Sequence, residues 1–189
     1  MQRKTPTKAE LVAAMNKSVP DVIAPGLNVL FCGINPGLYT AAVQEHFGRP
    51  GNKFWKALYL SGFTPKLFHP SEQYKLLDLK LGITNLVNRA TVSQTDVSAN
   101  EFIKGGELLT KKIKKYRPEW IAFVGIDAFR TAFTKKAVTV GNQENLIGQT
   151  NIWILPSTSG LNAHYTLDKT VKLFKELKKA VELNRNNTH

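Results

Sequence analysis

The chain has 189 residues, 42% hydrophobic and 21% charged, which suits one globular domain with a real core and excludes wholesale disorder. Its 26 Lys and Arg against 14 Asp and Glu leave a net charge of +12, which suits a polyanionic partner such as nucleic acid, or else an unspecialised basic surface. A single cysteine, Cys32, excludes an internal disulfide and a cysteine-built metal centre, and no apolar run approaches the ~18 residues of a membrane span.

Residues 1–20 read as a basic N-terminal extension, flexible or an extra DNA contact, with a short helical piece over Lys8 to Asn16 closed by Pro20 and Pro25. They lack the apolar stretch and cleavage site of a secretory signal, so the expectation is a soluble intracellular protein with no membrane partner. Residues 21–184 read as one domain and 185–189 as a C-terminal tail. The first strand is the apolar run Val29-Leu30-Phe31-Cys32, with Cys32 as a small core residue. It stops at Gly33-Ile34-Asn35-Pro36-Gly37, a polar turn that leaves one amide side chain at a strand end. In an open α/β sheet that edge is where ligands bind, which places Asn35 in a pocket.

Tyr39 to Gly51 shows no sustained periodicity and reads as a long loop over the strand end. Asn52 caps a helix carrying Phe54, Trp55, Leu58 and Tyr59 on a wide apolar face. A short helix near Glu72 to Leu77 precedes a second strand over Gly82 to Val87 and a polar loop from Asn88 to Ser98. Ser98, with Glu101 three residues on, opens a helix to Tyr116 whose outer face carries Lys111, Lys112, Lys114 and Lys115. Trp120 to Gly125 is the clearest strand, and Asp127 can cap the helix after it. Residues 134–150 form a connection with one edge strand. Ile152 to Leu155 is a strand that ends in Pro156-Ser157-Thr158-Ser159-Gly160-Leu161, and the last helix runs from Thr166 to Leu183. Strands alternating with helices predict a three-layer α/β/α sandwich around a central, mostly parallel sheet.

The chain has no HExxH, no zinc-spaced His/Cys group, no GxxxxGK[ST] and no GxGxxG, so no metal or other cofactor is expected. No nucleophile elbow surrounds Ser157 or Ser159. Glu45 and His46 carry groups able to move a proton, with a surface role as the default for both. What remains is two polar loops on strand ends, rich in backbone and hydroxyl groups that bind phosphate oxygens well. Leu161, at the tip of a Ser/Gly loop, either folds back onto the last helix or suits insertion into a base stack.

Five stretches in order, Gly33 to Leu38, Pro50 to Lys56, Gly82 to Arg89, Glu101 to Gly106 and Ile152 to Leu161, resemble the mismatch-specific uracil-DNA glycosylases and thymine-DNA glycosylases of the uracil-DNA glycosylase superfamily. The resemblance implies that family's fold and a monofunctional DNA repair enzyme. On that resemblance its substrate would be uracil, or thymine and other modified pyrimidines, in double-stranded DNA with G:U or related mismatches, and the protein would act as a monomer. It would be cytoplasmic in a bacterium and nuclear in a eukaryote. By the same resemblance Asn35 positions the water that attacks C1′, and Phe47 stacks on the flipped base while backbone groups of Ile34 and Phe47 read its edge. Tyr39, Thr40 and His46 shape the pocket around the base's 5-position, and Asn85 touches the base. Ser157, Ser159, Gly160, Leu161 and Asn162 form the loop that contacts phosphate and plugs the vacated duplex site. The bacterial branch usually reads Asn-Pro-Ser-Gly-Leu-Ser-Arg where this chain reads Ser157 to Ala163, so the Arg is missing. The highly active relatives carry an Asp in the first motif and a His in the second, and neither is present here. A catalytically idle relative that binds damaged DNA without excision, and a nucleotide-binding α/β protein unrelated to DNA, are the alternatives.

Overall fold

Short apolar runs bounded by polar turns leave little choice but buried strands, and the computed structural model, which describes residues 5–186, assembles four of them and one largely exposed edge strand into one sheet. These are β1 (Val29–Gly33), β2 (Leu81–Asn85), β3 (Trp120–Val124), β4 (Gly141–Ile147) and β5 (Thr150–Leu155). The outer ends of the expected N-terminal extension and C-terminal tail lie outside the described residues. Strand order is β2-β1-β3-β5-β4, parallel except for β4, which runs antiparallel to β5 at the edge. The chain leaves β1 to one side for β2 and returns to its other side for β3. That reversal opens the sheet at the C-terminal ends of β1 and β3, the usual place for a ligand.

The helices are α1 (Lys8–Ala13), α2 (Leu38–Val43), α3 (Phe54–Leu60), α4 (Ala99–Tyr116), α5 (Ile126–Ala132) and α6 (Leu167–Asn186), with 3₁₀ turns at Pro70–Leu79 and Gln94–Asp96. Every residue of β1, β2 and β3 is buried, as a parallel sheet covered on both faces requires. Alternation divides the core in two. Val29, Phe31, Ile83, Ala122 and Leu155 face α3 and α6. Leu30, Cys32, Ile121, Phe123 and Ile154 face α4 and α5. Phe31 anchors the site-bearing strand: its ring meets Phe54 of α3 edge-on at 5.4 Å and stacks on Phe174 of α6 at 5.8 Å. The three-layer α/β/α sandwich is the fold expected from the alternation of elements. No helix among the described residues is long and apolar enough to cross a membrane.

Four local expectations need correction. Part of the segment read as a long loop is helix α2, too short for its periodicity to show and stopped by Gln44 in the left-handed conformation at φ 58°. The helix after β3 starts at Ile126 on Gly125, whose φ of 150° turns the chain sharply, so Asp127 lies in the first turn and is not the cap. Lys112, read as part of a solvated face, turns inward to the Asp21 carboxylate and the Thr84 hydroxyl because it adjoins the buried stripe of α4. Finally, the segment from Thr7 to Val22 is docked, not free. Ala14 and Val19 are buried, Asn88 exchanges two hydrogen bonds with the Val19 backbone, and Val22 bridges Ile83.

Helix α4 begins at the expected reciprocal cap, with Ser98 and Glu101 each accepting from the other's backbone N–H. Its interior glycines allow close packing: a Cβ on Gly105 would lie 2.4 Å from the Leu86 carbonyl oxygen, and one on Gly106 2.9 Å from that of Ala132. Gly→Ala in an open helix gains about 0.5–1 kcal/mol, but here the clash is with backbone. Gly105→Ala is therefore expected to destabilise by about 1–3 kcal/mol. Urea unfolding checks it, and a raised midpoint would mean that the Leu86 carbonyl can move aside.

Candidate active site

Asn35 follows β1 by two residues, and its side chain is held by the loop after β2. Nδ2 donates to the carbonyls of Arg89 at 3.0 Å and Pro36 at 3.3 Å, and to Thr91 Oγ1 at 2.7 Å. The orientation of the amide follows from its partners. Carbonyls only accept, and the one Thr91 hydroxyl proton goes to the Ser93 carbonyl at 2.6 Å, so all three need the NH2 group. Oδ1 takes part in none of these bonds. Arg89 is itself braced: Glu101 takes two of its N–H groups, and Asn16 and the Asp96 carbonyl take others. The Arg89 hydrogen bond and two donors from Ser98 bring the Glu101 carboxyl down to about 2, so the brace is ionised at neutral pH.

Beside Asn35 lies a second cluster. Glu45 and His46, read as surface residues, are buried at 6% and 1% exposure. The Pro20 carbonyl accepts at 2.9 Å from His46 Nε2, which must therefore carry the proton, so Nδ1 of the neutral ring accepts from Asn85 Nδ2 at a long 3.5 Å. Burial pulls the His46 pKa below its ordinary value, against the opposing pull of the Pro20 carbonyl and the Asp21 carboxylate. With Nδ2 turned to His46, Asn85 Oδ1 lies over Gly33. A Cβ there would sit 2.7 Å from Oδ1 and 3.3 Å from Phe47 Cζ. Gly33 thus leaves the space into which Asn85 and Phe47 project.

Phe47 has φ 53°, the left-handed region that a bulky residue enters only under constraint. The constraint comes from its neighbours: Gln73 Oε1 accepts from His46 N–H, the Trp55 indole donates to the His46 carbonyl, and the Gly48 N–H returns to Glu45. The Phe47 ring stacks on Phe54 at 4.0 Å and 16° and remains only partly buried. Ile34 gives its carbonyl to Val87 N–H, and its side chain fills the space that a Cβ on Gly125 would take. Tyr39 is half-buried and Thr40 buried on α2.

The loop after β5 comes to the same edge. Ser157 Oγ accepts from Ser159 N–H and Ser159 Oγ from Leu161 N–H, while Asn162 Nδ2 donates to the Ser157 carbonyl. The two hydroxyls thus shape the loop. Leu161 is 78% exposed, so it does not fold back onto α6. The sequence reading missed Thr91, Pro20 and Lys53. Lys53 lay within the quoted Pro50 to Lys56 stretch, whereas Thr91 and Pro20 had no local signal. Among the described residues no group of three or more His, Cys, Asp or Glu side chains could hold a metal ion.

A family model described as the uracil DNA glycosylase superfamily matches residues 20–182. The chain is also similar to a solution NMR structure from Methanosarcina acetivorans that bears a provisional uracil DNA glycosylase designation. The TM-score is 0.56 at 16% identity over 87% of this chain and 99% of that one, a likeness of fold alone.

The neutral His46 has a stability consequence. Its folded pKa lies below the unfolded value, so the unfolded chain takes up more protons, and stability is lost as pH falls below about 6.5. His46→Gln, which does not titrate, is expected to flatten the fall in melting temperature between about pH 7 and pH 5. Parallel curves for the two proteins would mean that His46 does not resist protonation in the fold.

Proposed function

The chain belongs to the uracil DNA glycosylase superfamily, and on that premise we propose that it is a monofunctional glycosylase of the mismatch-specific branch, which flips uracil from a G·U pair and hydrolyses its N-glycosidic bond. The observation that carries this reading is the held amide of Asn35, with its NH2 group committed to protein acceptors and its carbonyl oxygen available. An amide is too weak a base to deprotonate water, but it can orient one. As the C1′–N1 bond lengthens, the base takes the bonding electrons and the sugar gains oxocarbenium character, so an unactivated water suffices to attack C1′. The water oxygen becomes the new C1′ hydroxyl, and its surplus proton ends on the departing base or in solvent.

Recognition of the base is supported by Asn85 and Phe47. Uracil and thymine carry an N–H at N3 where cytosine has a lone pair, so an Asn85 that offers Oδ1 accepts from the first two and repels the third. The partly buried Phe47 ring is a surface for stacking, and Tyr39, Thr40 and His46 would meet the 5-position. Extrusion costs a few kcal/mol and least from a mismatch, which favours G·U over A·U. The exposed Leu161 suits the vacated space, with Ser157, Ser159, Gly160 and Asn162 as the loop that carries it. The net charge of +12 suits a polyanionic duplex.

Incubation with a duplex containing one G·U pair, followed by alkali, should break the strand at the uracil. Asn35→Ala should slow that reaction on the order of 10²-fold, as for a misplaced reactant, while still retarding the duplex on a gel. A wild-type protein that retards the duplex without any break would be a binder and not an enzyme. If Asn35→Ala excises at the normal rate, Asn35 does not hold the water.

A further inference from the structure

The chemistry above leaves Lys53 unused, although it joins the two sides of the site. Its backbone N–H donates to the Thr158 carbonyl at 2.9 Å, and its Nζ donates to the carbonyls of Ser159 and Asn162, both at 3.0 Å. Among the described residues no carboxylate pairs with this ammonium, so main-chain oxygens take up its hydrogen bonds. The other hydrogen bonds of the loop are internal and local: Ser159 and Leu161 N–H to the Ser157 and Ser159 hydroxyls, Asn162 N–H to the Ser159 carbonyl, and the Asn162 amide to the Ser157 carbonyl. They give the loop its shape without tying it to the body of the protein. The hydrogen-bonded ties come from Lys53, next to the buried Thr158 side chain and the close approach of Gly160 to Gly51, where a Cβ on Gly160 would lie 2.8 Å from the Gly51 carbonyl oxygen.

We propose that Lys53 is a positioning residue that holds the Ser157 to Asn162 loop ready to drive Leu161 into the duplex; this rests on the glycosylase reading above. A wedge works only if its base does not give way as the side chain enters the stack. A loop ordered beforehand also avoids the entropy cost of ordering on binding. Lys53 does this with charge-assisted bonds to two carbonyls on either side of Leu161. With two of its three ammonium donors committed to the loop, Lys53 is placed to act through it.

The wedge is needed only where a base pair must be opened, so duplex and single-stranded substrates separate this role from a general structural one. Single-turnover excision of uracil is measured for wild type, Lys53→Met, Leu161→Ala and the double variant, on a G·U duplex and on the same strand alone. Lys53→Met should lower the duplex rate on the order of tenfold and leave the single-strand rate within about twofold of wild type. In the Leu161→Ala background it should add little further loss, because both changes remove one device. Lys53→Gln, which keeps one amide donor, should give the same ordering at smaller amplitude and serves if the Met variant does not fold. Equal losses on both substrates, or full additivity with Leu161→Ala, overturn the inference. So does a salt dependence of duplex binding reduced by about one counterion, which would make Lys53 a phosphate contact. If the unaltered protein excises uracil from neither substrate, the glycosylase reading falls and this inference falls with it.

Discussion

One amide nitrogen reinforces the main-chain bonds that join the loops after β1 and β2. Asn35 Nδ2 reaches the carbonyls of Pro36 and Arg89 and the Thr91 hydroxyl, and Thr91 N–H returns to the Pro36 carbonyl. Leaving such groups buried and unpaired costs about 1–3 kcal/mol each, so the two loops are coupled through a side chain that also faces the proposed reaction. The support runs outward from there. Arg89 is gripped by Glu101, and Glu101 caps the long helix α4 through Ser98. The orientation of one amide is in this way set by a helix terminus.

The side chains gathered around Gly33 are an amide, an imidazole and an aromatic ring. His46 is kept uncharged by burial, while the Pro20 carbonyl fixes its one proton on Nε2, and this in turn directs the Asn85 amide. A neutral arrangement of amides, an aromatic ring and main-chain groups suits a reaction in which the leaving base carries the developing negative charge. Lys53 secures the Leu161 loop, and the outer lysines of α4 and α6 face solvent.

Much of this was legible from local sequence. The strands, the Ser98 cap, the amphipathic last helix and the polar turns at strand ends all follow from interactions within a few residues of one another. Residues whose partners lie far along the chain were not. Lys112 read as part of a solvated run because Asp21 and Thr84, which draw it inward, are distant in sequence. Glu45 and His46 looked like surface groups, yet both are buried, and nothing nearby announced that Pro20, Gln73 and Trp55 would enclose His46. Helix α2 escaped notice because six residues are too few to display a period.

By itself the sequence determined the α/β alternation, the two polar strand ends and the identity of Asn35, since these depend on residue type, spacing and short-range turn chemistry. Tertiary structure alone decided which way each amide points, why Phe47 adopts a left-handed backbone, and what secures the loop that carries Leu161. Those properties come from pairs such as Asn35 with Arg89, Asn85 with His46 and Lys53 with Ser159. A hydrogen bond is directional and short, so it exists only once the sheet has brought distant strand ends to a common edge.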